Sequence, residues 1–316
     1  MTGAVRLEGP VYSLELRYDP DSYSPRDTMR TYSFGWMYWG EDRGYIELCR
    51  GSVAEVSWSD AVLSVRVFSE PGTRCWEMAI NNIAGMLGVN EDLAEYWRLA
   101  RGDPLVGGLA ESMRGLRLRQ TSIWYGFLVA VCQQNVSFRQ GWNMLYRLHL
   151  NASRRLVLPN GRVYLETPSP QNLSFEVLRS SGLGYRARTV LNLVSARAWE
   201  LECGNLEEAR SVLGVGNYTV SLVELLACRN YSSLLLDRWL RRLAAEAYKV
   251  SEREAAKALT ERFGEWRGLA AIHTTIAFDA EPSRRALERL RRGENKPGRV
   301  EPSPISLWKH TPPVSS

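Results

Sequence analysis

The period of the hydrophobic pattern changes once along this chain, near Cys75, and that change restricts the fold to a sheet joined to a helical body. Before it, "VYSLELRYD", "YSFGWMYW", "GYIELCR", "AEVSWSD" and "AVLSVRVFS" are short, aromatic or β-branched runs parted by Gly, Asp, Ser or Pro, which predicts an antiparallel sheet over residues 1 to about 70. After it, Trp76, Ile80, Ile83 and Met86 fall at steps of three or four, and "NEDLAEYWRLA" continues the helical spacing, so the sheet is expected to pack on helices. From about residue 104 to 280 the pattern is nearly all helical, broken at "LPNGRVYLETPSP", "SSGLGYR" and "LGVGNYT". The expected organisation is α+β: a sheet with helices over 1–100, an all-α domain over 101–280, and an Arg-rich helix with a Pro-rich, extended or mobile tail over 281–316. No internal repeat is visible.

Composition narrows the function classes. A 316-residue chain with 45% hydrophobic residues can build two packed domains. The longest apolar run, "WYGFLVAVC", is far short of a membrane span, and "MTGAVRLEGP" lacks the apolar stretch of a signal peptide. The expectation is a protein that meets no membrane and is not secreted: cytoplasmic, at the nucleoid, or nuclear. The five cysteines are scattered without a CxxC pair, which suggests neither a disulfide framework nor a zinc or iron–sulfur cage. His149, His273 and His310 are too dispersed for a metal site or a triad. A net charge of +5 points mildly to a polyanionic partner. Of the 40 basic residues only Lys249, Lys257, Lys296 and Lys309 are lysines, so no mechanism can use a lysine before residue 249.

The stretch "SVLGVGNYTVS" places Gly214 and Gly216 immediately before a renewed helical pattern. It reads either as a helix C-cap and short turn, or as a turn whose bare amides and following helix N-terminus hold a phosphate. Three further stretches decide between these: "GLRLRQTSIWYGFLVAVCQQN" and "TPSPQNL" with "LRSSGLGYRAR" upstream, and "SLLLDRWLRR" downstream. Together, in this order, they resemble the helix-hairpin-helix DNA glycosylases, in the branch of 8-oxoguanine glycosylase and bacterial 3-methyladenine glycosylase, over roughly residues 10 to 280. The resemblance implies a TBP-like N-terminal sheet domain followed by the glycosylase domain, and double-stranded DNA carrying a damaged base as the partner of a monomeric enzyme.

By that resemblance Gly214, Val215 and Gly216 hold DNA phosphates, and the backbone carbonyls of Arg210, Val212 and Val215 hold a structural monovalent cation; no other cofactor is implied. The family places either a catalytic lysine or an aromatic residue at the position occupied here by Tyr218, which implies water as the nucleophile and no lyase step. Asp237, nineteen residues on, falls where the essential aspartate lies, and it also opens a helical run where an N-cap belongs. Gln134 and Asn135 occupy the place of the plug that fills the hole left by a flipped base, and Tyr185 with Arg186 the place that wedges and contacts the partner base. Trp239 and Tyr218, then Trp124 and Tyr125, are the aromatic candidates for the base pocket.

The base itself is ambiguous. "TYSFGW" resembles the point where 8-oxoguanine glycosylase reads its base through a glycine carbonyl, but Thr31 stands in that glycine's place. An aromatic pocket without a lysine is closer to the enzymes that remove alkylated purines, whose cationic bases stack well on electron-rich rings. Oxidised or deaminated bases are the alternative, and a non-catalytic protein that binds damaged DNA is a second one.

Overall fold

The computed structural model describes residues 4–40, 42–312 and 314. The first sheet is formed by β2 (Glu8–Arg17), β3 (Arg43–Cys49), β4 (Ser52–Ser59) and β5 (Val62–Ser69), antiparallel throughout in the order β2-β5-β4-β3. A second sheet joins the far ends of the chain's first half: β1 (Ala4–Arg6) runs parallel to β6 (Arg155–Val157), which pairs antiparallel with β7 (Val163–Leu165). The remainder is helical. In chain order these helices are α1 (Pro25–Arg30), α2 (Trp76–Ile80), α3 (Ile83–Leu87), α4 (Ala94–Ala100), α5 (Gly107–Ser112), α6 (Ile123–Gln133) and α7 (Phe138–Ala152). They continue with α8 (Phe175–Ser180), α9 (Arg186–Ser195), α10 (Asn217–Cys228), α11 (Arg238–Tyr248), α12 (Ala255–Phe263), α13 (Arg267–Ala277) and α14 (Ser283–Arg291).

The alternation of the strands divides the core. Ala54, Val56, Leu63, Val65 and Val67 pack with Met29 of α1, Ile80 of α2 and Ile83 and Leu87 of α3, whereas Val53 and Phe68 join the larger core of the helical body. The α+β architecture expected from the sequence is therefore present. α6 is buried nearly all round, from Trp124 to Cys132, and lies at the centre of the helical body, antiparallel to α10. That pairing is pinned at both ends: Gln134 Nε2 donates to Thr219 Oγ1 at 2.9 Å, and Thr121 N donates to Leu226 O at 3.0 Å. Ser122 and Ser137 cap α6 and α7, the second in a reciprocal capping box with Gln140.

Three expectations within the body are corrected. "YSFGWMYW" forms no strand: residues 32–38 make a buried turn after α1, with Phe34 stacked on Trp36 at 4.6 Å and Tyr32 on Trp142 at 5.7 Å. "LPNGRVYLE" is more than a break, since it supplies the hairpin of β6 and β7. The cysteines are paired, Cys49 with Cys75 and Cys203 with Cys228, leaving Cys132 free and buried. Their scatter in sequence conceals that the fold brings Cα atoms to 6.2 and 5.7 Å, within bonding range.

The segment after α14, expected as an extended or mobile tail, is irregular but held. Pro304 O accepts the amide of Tyr32 at 2.7 Å, Thr311 Oγ1 accepts that of Gly35 at 3.0 Å, and Trp308 packs edge-on against Tyr38. A Cβ at Gly35 would lie 1.9 Å from the Thr311 carbonyl, so the strap and the turn are in backbone contact. Residues 313, 315 and 316 of the expected tail lie outside the described residues.

Candidate active site

The hairpin is built as its sequence suggests. A 3-10 turn over Leu206–Ser211 leads through Val212–Gly216 into α10, with Gly216 at the N-cap position. Gly214 has φ +95°, and a Cβ there would meet Thr189 Oγ1 at 2.2 Å, so both dihedral and space demand glycine. Gly216 faces open space, while Val215 is buried beneath the turn. Leu213, at the tip, is 82% exposed. Its carbonyl is taken by Asn192 Nδ2 at 3.0 Å, and that of Gly214 by Gln134 Nε2 at 3.1 Å. Of the three carbonyls implied for a cation, Val212's accepts the amide of Val215 at 3.0 Å, which closes the turn. The set of Arg210, Val212 and Val215 would supply only neutral oxygens, a donor chemistry suited to a hard monovalent ion.

Gln134 and Asn135 follow the end of α6. Asn135 is exposed with φ 48°, a left-handed conformation that Asn tolerates better than most residues. Gln134, expected beside it as part of the plug, is instead bonded to the hairpin. Arg186, expected against the partner base, is buried here, stacks on the Tyr185 ring at 4.4 Å, and donates through Nε to the Gln134 carbonyl at 3.0 Å. Tyr185 itself is 63% exposed, next to the arginine that ties down the loop after α6.

Asp237 is the N-cap of α11. Its Oδ1 accepts the amide of Leu240 at 2.7 Å, and the residue is exposed. Burial of the surrounding groove pushes its carboxyl above the ordinary range, against the pull of the Leu240 and Trp239 amides. Tyr218, in the first turn of α10, feels the same carboxylate: burial first and then the Asp237 charge push its phenol upward. Lys249 sits past the opposite end of α11, 78% exposed and paired with Glu246 at 3.0 Å.

Beside Tyr218 opens a cavity of about 520 Å³ between the first sheet and the helical body. Its helical walls are two stripes at four-residue spacing, Tyr218, Leu222 and Leu226 on α10 facing Tyr125, Val129 and Gln133 on α6. Tyr32, Phe138 and Trp142 form an aromatic side. Of the aromatic candidates, Tyr218 and Tyr125 line this space. Trp239 and Trp124 do not: their indole N–H groups donate at 2.7 Å to the carbonyls of Glu281 and Pro168, and both rings pack away from the cavity. Thr31 is a lining residue, but its carbonyl accepts Arg119 Nη2 at 2.9 Å.

Three polar groups of this cavity, on Arg119, Glu47 and Gln133, are absent from the sequence-based candidates, whereas Tyr125 is among them. Arg119 lies deep in the fold, with Nε on Thr28 O at 3.1 Å and Nη2 on Thr31 O and Ser33 Oγ. Glu47 Oε2 accepts both the amide and the hydroxyl of Thr167, at 2.7 and 2.8 Å. Burial, and then the charge of Glu166, push the Glu47 carboxyl up to about 7 despite the two Thr167 bonds and Arg154. The Tyr125 hydroxyl and Gln133 Nε2 are buried without a hydrogen-bond partner among the described residues. The sequence does hold a signal for Glu47: in "GYIELCR" it alternates with Tyr45 and Cys49 on one face, an acidic residue at an inward position.

No family model and no curated protein matches the sequence. Solved structures do match the fold. The 3-methyladenine DNA-glycosylase from Archaeoglobus fulgidus superimposes with a TM-score of 0.67 at 19% identity, over 84% of this chain and 97% of its own. The 8-oxoguanine glycosylase/lyase of Clostridium acetobutylicum, in complex with double-stranded DNA containing cytosine opposite 8-oxoG, gives 0.63 at 17% identity, over 85% and 95%. MBOgg1, in complex with a low affinity DNA ligand, gives 0.64 at 16% identity, over 85% and 96%. At these identities the likeness is one of fold: the chain has the architecture of these DNA glycosylases.

Proposed function

We propose that this chain is a monomeric DNA N-glycosylase that flips a damaged base out of double-stranded DNA into the 520 Å³ cavity and hydrolyses its N-glycosidic bond. The observation that carries the reading is Asp237, a helix-capping carboxylate whose charge is felt by Tyr218 on the cavity wall, with the phosphate-type hairpin leading into the same end of α10. The two upstream roles follow. Gly214, Val215 and Gly216 anchor the DNA backbone, assisted by a monovalent cation on the carbonyls of Arg210, Val212 and Val215, while Asn135 and Tyr185 enter the duplex. Gln134 and Arg186 hold that plug loop in place.

In the chemical step the bond from the sugar C1′ to the base breaks and positive charge grows on the sugar. The Asp237 carboxylate stabilises that charge and takes a proton from the water that adds to C1′. The base leaves with the bonding electron pair: a cationic alkylated purine departs neutral and the water's proton passes from Asp237 to solvent, whereas a base that was neutral departs as an anion and takes up a proton in its place. Tyr218 offers no amine for a Schiff base and Lys249 lies at the wrong end of α11, which supports hydrolysis without a lyase step.

The aromatic side of Tyr32, Phe138, Trp142 and Tyr218 supports alkylated purines as the substrate. A second reading, oxidised or deaminated bases, is favoured by Arg119, whose buried cation opposes a cationic base and matches a carbonyl oxygen. The test is release of free base from duplexes that each carry one lesion, together with borohydride trapping. The reading expects at least one base released, an intact abasic strand and no trapped complex. Absence of release from every duplex leaves the DNA-binding alternative in its place.

A further inference from the structure

The furrow between α6 and α10 is longer than the hydrolytic step needs. Antiparallel packing puts Gln133 beside Tyr218 at the Asp237 end and Tyr125 beside Leu226 at the other, two helical turns or about 12 Å away. A base whose glycosidic bond lies at Asp237 occupies the near part. Beyond it the walls turn polar, with Glu47, Thr167, Arg119 and the Tyr125 hydroxyl, and the space continues to the exposed Arg50 and Asn82.

We infer that the far part of the furrow is a distal chamber that takes a polar, hydrogen-bonding substituent of an enlarged base; this rests on the glycosylase reading for the position of the base. Three observations support it. The Tyr125 hydroxyl, on a side chain only 8% exposed, has no partner among the described residues, and a buried hydroxyl left unpaired is costly. Glu47 has both Thr167 bonds on Oε2, so Oε1 remains for a ligand. Near neutral pH this carboxyl is divided between its acid and its anion and can donate or accept. The groups facing it are Glu166 and Arg154 of the second-sheet hairpin, Tyr164 of β7, and Tyr125 of α6. A methyl group satisfies none of these partners, whereas a hydroxyl-bearing arm does.

The experiment measures binding of free bases to the protein complexed with an abasic duplex, by calorimetry. The probes are adenine substituted at N6 and guanine substituted at O6 or N7, each with a methyl, a propyl or a 2-hydroxyethyl group. The chamber predicts that at least one hydroxyethyl base binds about fivefold or more tighter than both its propyl and methyl counterparts, the scale of one hydrogen bond. Tyr125→Phe should bring the hydroxyethyl-to-propyl affinity ratio to about one, a ratio that a general loss of binding would leave in place. Equal affinities of hydroxyethyl, propyl and methyl forms at all three positions, or an advantage that survives in both Tyr125→Phe and Glu47→Gln, would overturn it. This outcome is independent of catalysis. Loss of the glycosylase reading alone would appear as failure to release any base from the lesion duplexes while the binding preference persists.

Discussion

Arg186 and Gln134 are joined by a guanidinium donating to a single backbone carbonyl, Nε at 3.0 Å, and Gln134 in turn reaches the Gly214 carbonyl at 3.1 Å. The start of α9, the end of α6 and the hairpin are thus one unit. Arg186→Ala should cost about 2 kcal/mol of stability, the scale of a charged hydrogen bond lost in a buried place. It should also weaken binding to abasic duplex, because the plug loop and hairpin would no longer hold a fixed distance. Thermal melting and a DNA titration check both; a variant with unchanged melting and affinity would show that the loop is fixed by other contacts.

Gly214→Ala separates the hairpin from general charge. The substitution strains φ +95° and drives a Cβ into Thr189, whereas Gly216→Ala meets nothing within 4 Å. Affinity for duplex DNA should fall about tenfold or more for Gly214→Ala and much less for Gly216→Ala. The slope of log affinity against log salt should be shallower for Gly214→Ala, since fewer counterions are displaced. Equal effects of the two alanines would remove the hairpin from the DNA interface.

Asp237→Asn keeps a residue that caps helices well and removes the carboxylate. Melting should stay near normal and base release should fall by about a hundredfold or more. Asp237→Ala should in addition lose about 1 kcal/mol of stability through the missing bond to the Leu240 amide. An Asp237→Asn enzyme that works at the parental rate would sink the assignment.

Glu47 makes stability depend on pH. Its folded-state value of about 7 is raised from 4.5, so the protonated form is favoured by folding. The associated stability is complete below about 4.5 and is lost as pH rises through about 7. Glu47→Gln, whose amide oxygen can still accept from Thr167, should gain on the parent across that window by roughly 2–3 kcal/mol. Melting temperatures taken below and above the window test this; a difference that does not widen with pH would mean that Glu47 is charged in the fold at low cost.

The Cys203–Cys228 bond closes a 25-residue separation that contains the hairpin and most of α10. Replacing both cysteines by serine should cost about 3 kcal/mol, mainly by freeing the unfolded chain. Without reductant calorimetry should show the parent melting above the variant, and with reductant, which opens Cys49–Cys75 in both, the two should melt together.

How much is legible in the sequence follows from how local each signal is. The hairpin, Tyr218 and Asp237 are readable because glycine dihedrals, an N-cap and a helical restart are fixed within a few residues. The buried turn at 32–38 reads as a strand because its aromatic composition suits one, while contacts distant in sequence, from Arg119, Trp142 and the strap after α14, hold it otherwise. Trp124 lies on a helix buried nearly all round, where helix phase does not say which core a side chain meets, and Trp239 is held by the Glu281 carbonyl, 42 positions away. The two disulfides and the Glu47–Thr167 contact join residues 25 to 120 positions apart, a separation that sequence spacing does not reveal.

The strap from Pro304 to Thr311 has a consequence for synthesis of the chain. Tyr32, which walls the cavity, takes its backbone partner from Pro304, made long after it. The turn beside the cavity gains these backbone contacts only once the strap is in place. A chain stalled within α14 therefore carries the hairpin and the Asp237 cap while the Tyr32 wall of the cavity is still unbraced.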